Sequence, residues 1–170
     1  MNPVTKLGER GVVAICEPLS WCPEGVISVL GPEDDYTPFI GYGKTETKER
    51  FLREIFKGSD RTAGQKQILL YRPSGKEANR ATAASDIINA TARYTGTRGN
   101  DIRIAISTSG DAKTVQTLVG SEVMDTQEVS VASELVTNDW VEFGEGSLAE
   151  SAGIPLTGGT DGTVDVSSHE

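Results

Sequence analysis

The sequence predicts an α+β chain in which a small α/β unit is followed by an antiparallel β-sandwich or small barrel. Three observations carry that expectation. Residues 1–72 read strand, strand, helix, strand. From Ile88 onward apolar and polar residues alternate with period two, the mark of strands with one buried and one wet face. The charge is divided: residues 1–100 hold 14 basic and 12 acidic side chains, whereas residues 101–170 hold 2 and 13. Halves of such different balance suggest two structural units.

The elements follow in order. GVVAIC (11–16), bounded by Gly11 and Pro18, reads as a buried strand, and GVISVL (25–30) reads as a second strand. Between them, EPLSWCPEG has two prolines and a glycine and reads as a loop. GPEDDYTP (31–38) is breaker-rich and polar, so an exposed loop is expected. KTETKERFLREIFKG (44–58) predicts a helix. Phe51, Leu52, Ile55 and Phe56 fall on one face toward a core. Thr45 suits the N-cap, Glu46 and Glu49 the positive end, and Lys57 with Gly58 the stop. QILLYR (67–72) closes the unit as a strand, with the helix covering one face of the sheet.

In the second half, Ile88, Ala90, Ala92 and Tyr94 alternate with polar residues, as do Ile102, Ile104 and Ile106. GTRGND between them reads as the turn of a hairpin. Gly96 and Gly99 would permit the reversal, with positive φ expected at Gly99. Asn100 and Asp101 would bond the turn's own backbone. A salt bridge within or between subunits is the expectation for Arg98. TSGDAKT (108–114) predicts a hairpin tip at Gly110–Asp111. TVQTLVG, VMDTQEVSVA and VTNDWVEF continue as short strands with a turn at Asn138–Asp139. Regularly spaced short strands suggest a sandwich or small barrel, and LTGGTDGTV (156–164) reads as the domain's exit. The expected division is a partial α/β core segment at 1–75, a linker at 76–87, a β-sandwich at 88–165 and a tail at 166–170.

Chemistry is hard to place on this chain. GYGKTETK (41–48) has GKT before a helix, but Pro38 stands where a phosphate-binding loop needs its first glycine. GTRG has the spacing of a nucleic-acid clamp, which joins helices rather than alternating strands. An acidic second half also opposes nucleic acid. The single histidine is His169, and no serine sits in a G-x-S-x-G elbow. The carboxylate pair Asp34–Asp35 falls in polar loop and reads as a solvated face, and GGTDG (158–162) offers too few oxygen ligands for calcium. No enzyme, cofactor or metal site is expected. No apolar run approaches the roughly 18 residues of a membrane span, and MNPVTKLGERG lacks the apolar core of a secretory signal. Cys16 and Cys22 read as free thiols or as a disulfide. Tyr94, Trp140 and Phe143 read as core aromatics, or as the platform of a β-sandwich module that binds a carbohydrate or receptor.

Three passages, GERGVVAICEPLSWCPEGVISVL (8–30), TARYTGTRGNDIRIAI (91–106) and NDWVEFGEGSLAESAGIPLTGGTDGTV (138–164), resemble in order and spacing the N-terminal part of contractile phage tail sheath proteins. The type is that of Gram-positive phages, defective prophages and phage-tail-like bacteriocins. FLREIFKG followed by ILLYR is similar to the family's helix and strand. The resemblance implies a structural subunit whose copies stack around a tail tube and contract. Its partners would be other copies of the sheath protein, with tube protein and baseplate reached through a core part beyond this chain. Nucleic acid and membrane are not expected partners. It implies a place in a virion tail or phage-tail-like particle made in the host cytoplasm. It also implies that a subtilisin-like domain without the protease triad and a second core segment follow, so the chain reads as a fragment. Arms that add strands to neighbouring subunits would lie at 1–16, which makes Val12, Val13 and Ile15, with Arg98, the residues expected at inter-subunit contacts.

Overall fold

The computed structural model describes residues 11–42, 50–59 and 62–164. They form two compact units. The first is the chain up to Glu17 together with Pro23–Pro73, and the second is Pro18–Cys22 together with the chain from Ser74 onward.

In the first unit, β1 (Val12–Cys16) and β2 (Ile27–Leu30) are followed by a one-turn helix α1 (Thr37–Ile40) and by α2 (Arg50–Lys57). Two-residue strands β3 (Gly58–Ser59) and β4 (Thr62–Ala63) pair with each other, and β5 (Gln67–Tyr71) ends the unit. The sheet order is β1-β5-β2, with β1 parallel and β2 antiparallel to the central strand. α1 lies at the end of a stretch that reads as loop. Pro38 sits in its first turn, where the missing N–H is no loss. Asp35 Oδ1 accepts the Thr37 N–H at 3.1 Å, and Gly41 closes the turn in left-handed backbone. On α2, Leu52 is buried, while Phe51, Ile55 and Phe56 are half-buried. The Phe56 ring stacks on Tyr36 at 6.3 Å. Thr45, Glu46 and Glu49, and hence the start of the predicted helix, lie outside the described residues. Arg72, buried after β5, is paired with Glu24 at 3.2 Å, as a buried charge must be.

The second unit is a β-sandwich. One sheet has the order β11-β7-β6, from β6 (Arg80–Ala84), β7 (Asn89–Thr95) and β11 (Val141–Phe143). The other has the order β10-β9-β8-β12, from β8 (Ile102–Ser109), β9 (Ala112–Val119), β10 (Glu122–Val129) and β12 (Ser151–Pro155). Ile88, Ala90 and Ala92 of the first sheet meet Ile102, Ile104, Ile106, Val115 and Val119 of the second in one core. The period-two alternation thus sorts these residues inward as expected, and β8 and β9 form the hairpin that turns at Gly110–Asp111.

Three expectations are corrected. The 76–87 stretch is not a linker, because β6 is built into the sheet with Ala81 and Ala83 buried. The stretch 88–106 is not a hairpin. Its two strands belong to different sheets, and a turn of 3-10 helix at Thr97–Asp101 carries the chain between them. LTGGTDGTV is not an exit. After β12 the chain leaves the second sheet and runs along the edge of the first, exchanging backbone hydrogen bonds at Thr82–Thr157, Asn79–Thr160 and Lys76–Thr163. One segment therefore belongs to both sheets and covers an edge that would otherwise be open.

Candidate functional site

The sheet-to-sheet crossing at 96–101 gathers distant parts of the sandwich. Gly96 has φ +122°, and a Cβ there would lie 2.0 Å from the Ser20 carbonyl oxygen. Only glycine allows that approach. The Arg98 N–H donates to the same carbonyl at 3.3 Å. The Thr97 N–H donates to Asp161 Oδ1 at 2.7 Å. The Asn100 side chain exchanges two hydrogen bonds with the Gly159 backbone, at 2.9 and 2.8 Å. Asn100 thus bonds the far end of the domain and not its own turn. Gly99 does not have positive φ. Its constraint is space, since an added Cβ would meet those of Ala81 and Ala92 at 3.0 and 3.1 Å. Arg98 pairs with Asp101 at 3.0 Å inside the chain. The turn residues Gly96, Gly99, Asn100 and Asp101 thus form a structural junction.

The junction also seats Trp21, which the sequence places in a loop of the first unit. Its side chain is 0% exposed. It meets Tyr94 edge-on at 5.3 Å and stacks on Trp140 at 5.4 Å. Trp140 is held from the other side by Asn138, whose Oδ1 accepts the N–H groups of Trp140 and Val141 at 2.9 and 2.8 Å. The Asn138 Nδ2 donates to Thr117 Oγ1 and Asp125 Oδ2 at 2.9 and 2.8 Å. Of the aromatic residues that a sugar-binding face would need, Trp140 is buried, and Tyr94 and Phe143 are half-buried against the core.

Among the described residues, no group of His, Cys, Asp and Glu could hold a metal. Both cysteines are free thiols, Cys16 exposed and Cys22 buried. Gly43, Lys44 and His169 lie outside the described residues. A shallow groove of about 440 Å³ runs over the outer side of β8 and β9, lined by Ser107, Thr108, Gln116, Glu150 and Ser151 among others. Hydrogen bonds from the Thr108 side chain and backbone hold the Glu150 carboxyl below its ordinary value, with a smaller contribution from Lys113. Glu150 is exposed.

What stands out instead is a surface of the first unit. The register puts Val12, Ala14, Cys16, Leu69, Tyr71, Ile27 and Val29 on one face of the three-stranded sheet. Ile27 is 64%, Val29 55% and Val12 45% exposed. The opposite face carries Ile68, Leu70 and Leu30, all buried. Of the residues expected at inter-subunit contacts, Val12 lies on the open face. Val13 and Ile15 are half-buried on the covered one. Arg98 is engaged within the sandwich. Contiguous exposed apolar area of this kind marks an interaction surface.

Comparison with known proteins places these features. Residues 75–161 match the phage tail sheath protein β-sandwich domain. The chain is similar to the sheath tail protein DSY3957 of Desulfitobacterium hafniense, with a TM-score of 0.80 and 34% identity over 97% of this chain and 39% of that one. It is also similar to the sheath tail protein Lin1278 of Listeria innocua, with a TM-score of 0.72 and 31% identity over 91% of this chain and 35% of that one. Among curated proteins of Bacillus subtilis (strain 168), the phage-like element PBSX protein XkdK is 34% identical over 163 residues, 93% of this chain and 33% of its own length. The uncharacterized protein YqbK is 35% identical over 156 residues, 89% of this chain and 31% of its own. The chain thus spans about a third of the length of the curated relatives it matches.

Proposed function

This chain belongs to the phage tail sheath protein family, and on that premise we propose that it is part of a contractile sheath subunit. Copies associate around a tail tube and contract to drive the tube through a cell envelope. The observation that carries the reading is the likeness to the sheath tail protein of D. hafniense over 97% of the chain. The role is structural: the subunit works by packing against its neighbours.

In this reading the two units divide the labour. The sandwich buries its inward residues in a core of its own. The open apolar face of the N-terminal sheet is where the rest of the subunit, other copies and the tube are met. Contraction is a change between two packings of the same subunits by rigid-body rotation. It draws on energy stored at assembly, so no nucleotide is required, consistent with the defective phosphate-loop pattern at 41–48. The 13 acidic against 2 basic residues of 101–170 keep like-charged surfaces apart and oppose unwanted association. The baseplate is the remaining partner in this proposal, and the particle is a virion tail or a phage-tail-like element made in the host cytoplasm.

Electron microscopy of the gene product that carries this chain tests the proposal. Tubes or polysheaths are expected, and dispersed particles alone count heavily against it.

A further inference from the structure

The strap that runs along β6 after β12 contains the one Asp-Gly pair of the sequence, Asp161–Gly162, and the sequence has no Asn-Gly pair. An aspartate before glycine is the acidic dipeptide most open to spontaneous isomerisation, because no side chain shields the following backbone nitrogen. In that reaction the Gly162 nitrogen bonds to the Asp161 carboxyl carbon. The carboxyl OH and the hydrogen of that nitrogen leave together as water, and a five-membered imide results. Water then opens the ring. Cleavage at the side-chain carbonyl restores aspartate. Cleavage at the main-chain carbonyl gives isoaspartate, whose backbone is longer by one methylene. The chain's own atoms and water suffice.

The closed strap resists ring closure. Asp161 Oδ1 accepts the Thr97 N–H at 2.7 Å, and the Thr97 hydroxyl donates to Oδ1 and Oδ2 at 3.2 and 3.0 Å. The backbone is pinned on both sides of the pair, by the bonds between Thr160 and Asn79 and between Thr163 and Lys76. A carboxylate fixed on Thr97 must leave it before its carbon joins the Gly162 nitrogen. The same geometry leaves no room for the product. A Cβ at Gly75 would lie 2.3 Å from the Asp161 carbonyl oxygen, and one at Gly162 would lie 2.7 Å from the Ala78 nitrogen and the Lys76 carbonyl oxygen. A backbone lengthened between Thr160 and Thr163 cannot keep both pairings in register. Gly162 itself has φ +68° and no space for a side chain, so the fold demands the glycine that makes Asp161 labile.

We propose that Asp161 is a site of isoaspartate formation whose rate is set by the fold. Formation is slow while Thr97 and the two pairings hold the strap, and fast in a chain whose sandwich is open. The product cannot close the strap again. Isomerisation therefore marks chains that have spent time unfolded, and it leaves their β6 edge uncovered.

The gene product that carries this chain is aged at neutral pH and physiological temperature, folded or in guanidinium chloride. Isoaspartate at 161 is read by peptide mapping with electron-transfer fragmentation, which tells the two linkages apart. Formation should be slower in the folded protein by about tenfold or more, as a reaction that waits on local opening requires. Thr97→Val removes the hydroxyl bonds and keeps the backbone one. It should speed formation in the folded protein by roughly threefold or more, and Thr97→Ser, which keeps a hydroxyl, should restore the slow rate. Near-UV circular dichroism establishes that each variant is folded. Protein aged in denaturant and then refolded should melt below a control refolded at once, and further below as isoaspartate accumulates; this arm needs no variant. The proposal is overturned if the unfolded chain forms no isoaspartate at 161, or if folded and unfolded protein form it at the same rate. It is overturned equally if folded Thr97→Val ages no faster than the parent, or if isomerised protein refolds to the melting temperature of the control.

Discussion

The two sheets of the sandwich and the sheet of the N-terminal unit are made from similar residues and end in opposite conditions. In the sandwich, Ile102, Ile104 and Ile106 point inward, while Arg103 and Ser107 are exposed on the wet side. In the N-terminal sheet, Ile68 and Leu70 are buried, yet their neighbours across the pleat are Leu69 and Tyr71, flanked by Val29 and Ile27. One sheet alternates because one of its faces meets water. The other is apolar on both faces, the pattern of strands covered on both sides. The difference separates a sandwich with a core of its own from a sheet whose second apolar face is exposed.

Substitutions can break or sharpen this contrast. The largest effect is expected from a matched pair of isoleucines. Ile104, 0% exposed, should lose about 2–5 kcal/mol of sandwich stability on Ile104→Ala. Ile27, 64% exposed, should change the stability of this chain by less than about 0.5 kcal/mol on Ile27→Ala. Urea unfolding followed by near-UV circular dichroism reads both, and equal losses would erase the distinction. An intermediate effect is expected at Asn138, whose amide ties Trp140 and Val141 to Thr117 and Asp125. Asn138→Ala should cost about 1–3 kcal/mol, because buried groups lose their partners, and should weaken the near-UV signal of the Trp21–Trp140 stack. The smallest effect lies on the wet face. Glu150 is held below the ordinary 4.5, first by the Thr108 side chain. A carboxyl depressed on folding stabilises above its unfolded pKa, and that contribution is lost as pH falls through the folded value. Thr108→Val should move the Glu150 titration, followed by NMR, back toward 4.5 without restoring it fully, since the Thr108 backbone hydrogen bond remains.

The sequence made the sandwich legible where side chains alternate in size and polarity. Residues 88–95 and 102–119 are strands with the inward residues the period predicts, and Gly110–Asp111 turns where a two-residue loop should. Strand β6 was obscured because RATAA is small and polar. Its alanines are small where Gly99 packs against Ala81, a tertiary reason that no local pattern carries. The 96–101 turn has the composition of a hairpin, and only the sheet partners of β7 and β8 show that it joins two sheets. Trp21 was the least legible of all. A large apolar ring between prolines in a loop was the available signal, but the pocket that receives it is formed by residues more than 70 positions away. The open face of the first sheet was not legible, since GVVAIC reads as a buried strand while Val12, Ile27 and Val29 are exposed. Its position beside Val12 needed the register.

The central claim is that assembly uses the apolar face of the N-terminal sheet and not the outer face of the sandwich. Electron microscopy of the gene product that carries this chain tests it through two single substitutions. Val29→Asp places a charge on the open face, and Thr126→Asp places one on exposed β10. Tubes are predicted for the unsubstituted protein and for Thr126→Asp, and none for Val29→Asp. Tubes from Val29→Asp in normal number, or none from the unsubstituted protein, would contradict the account.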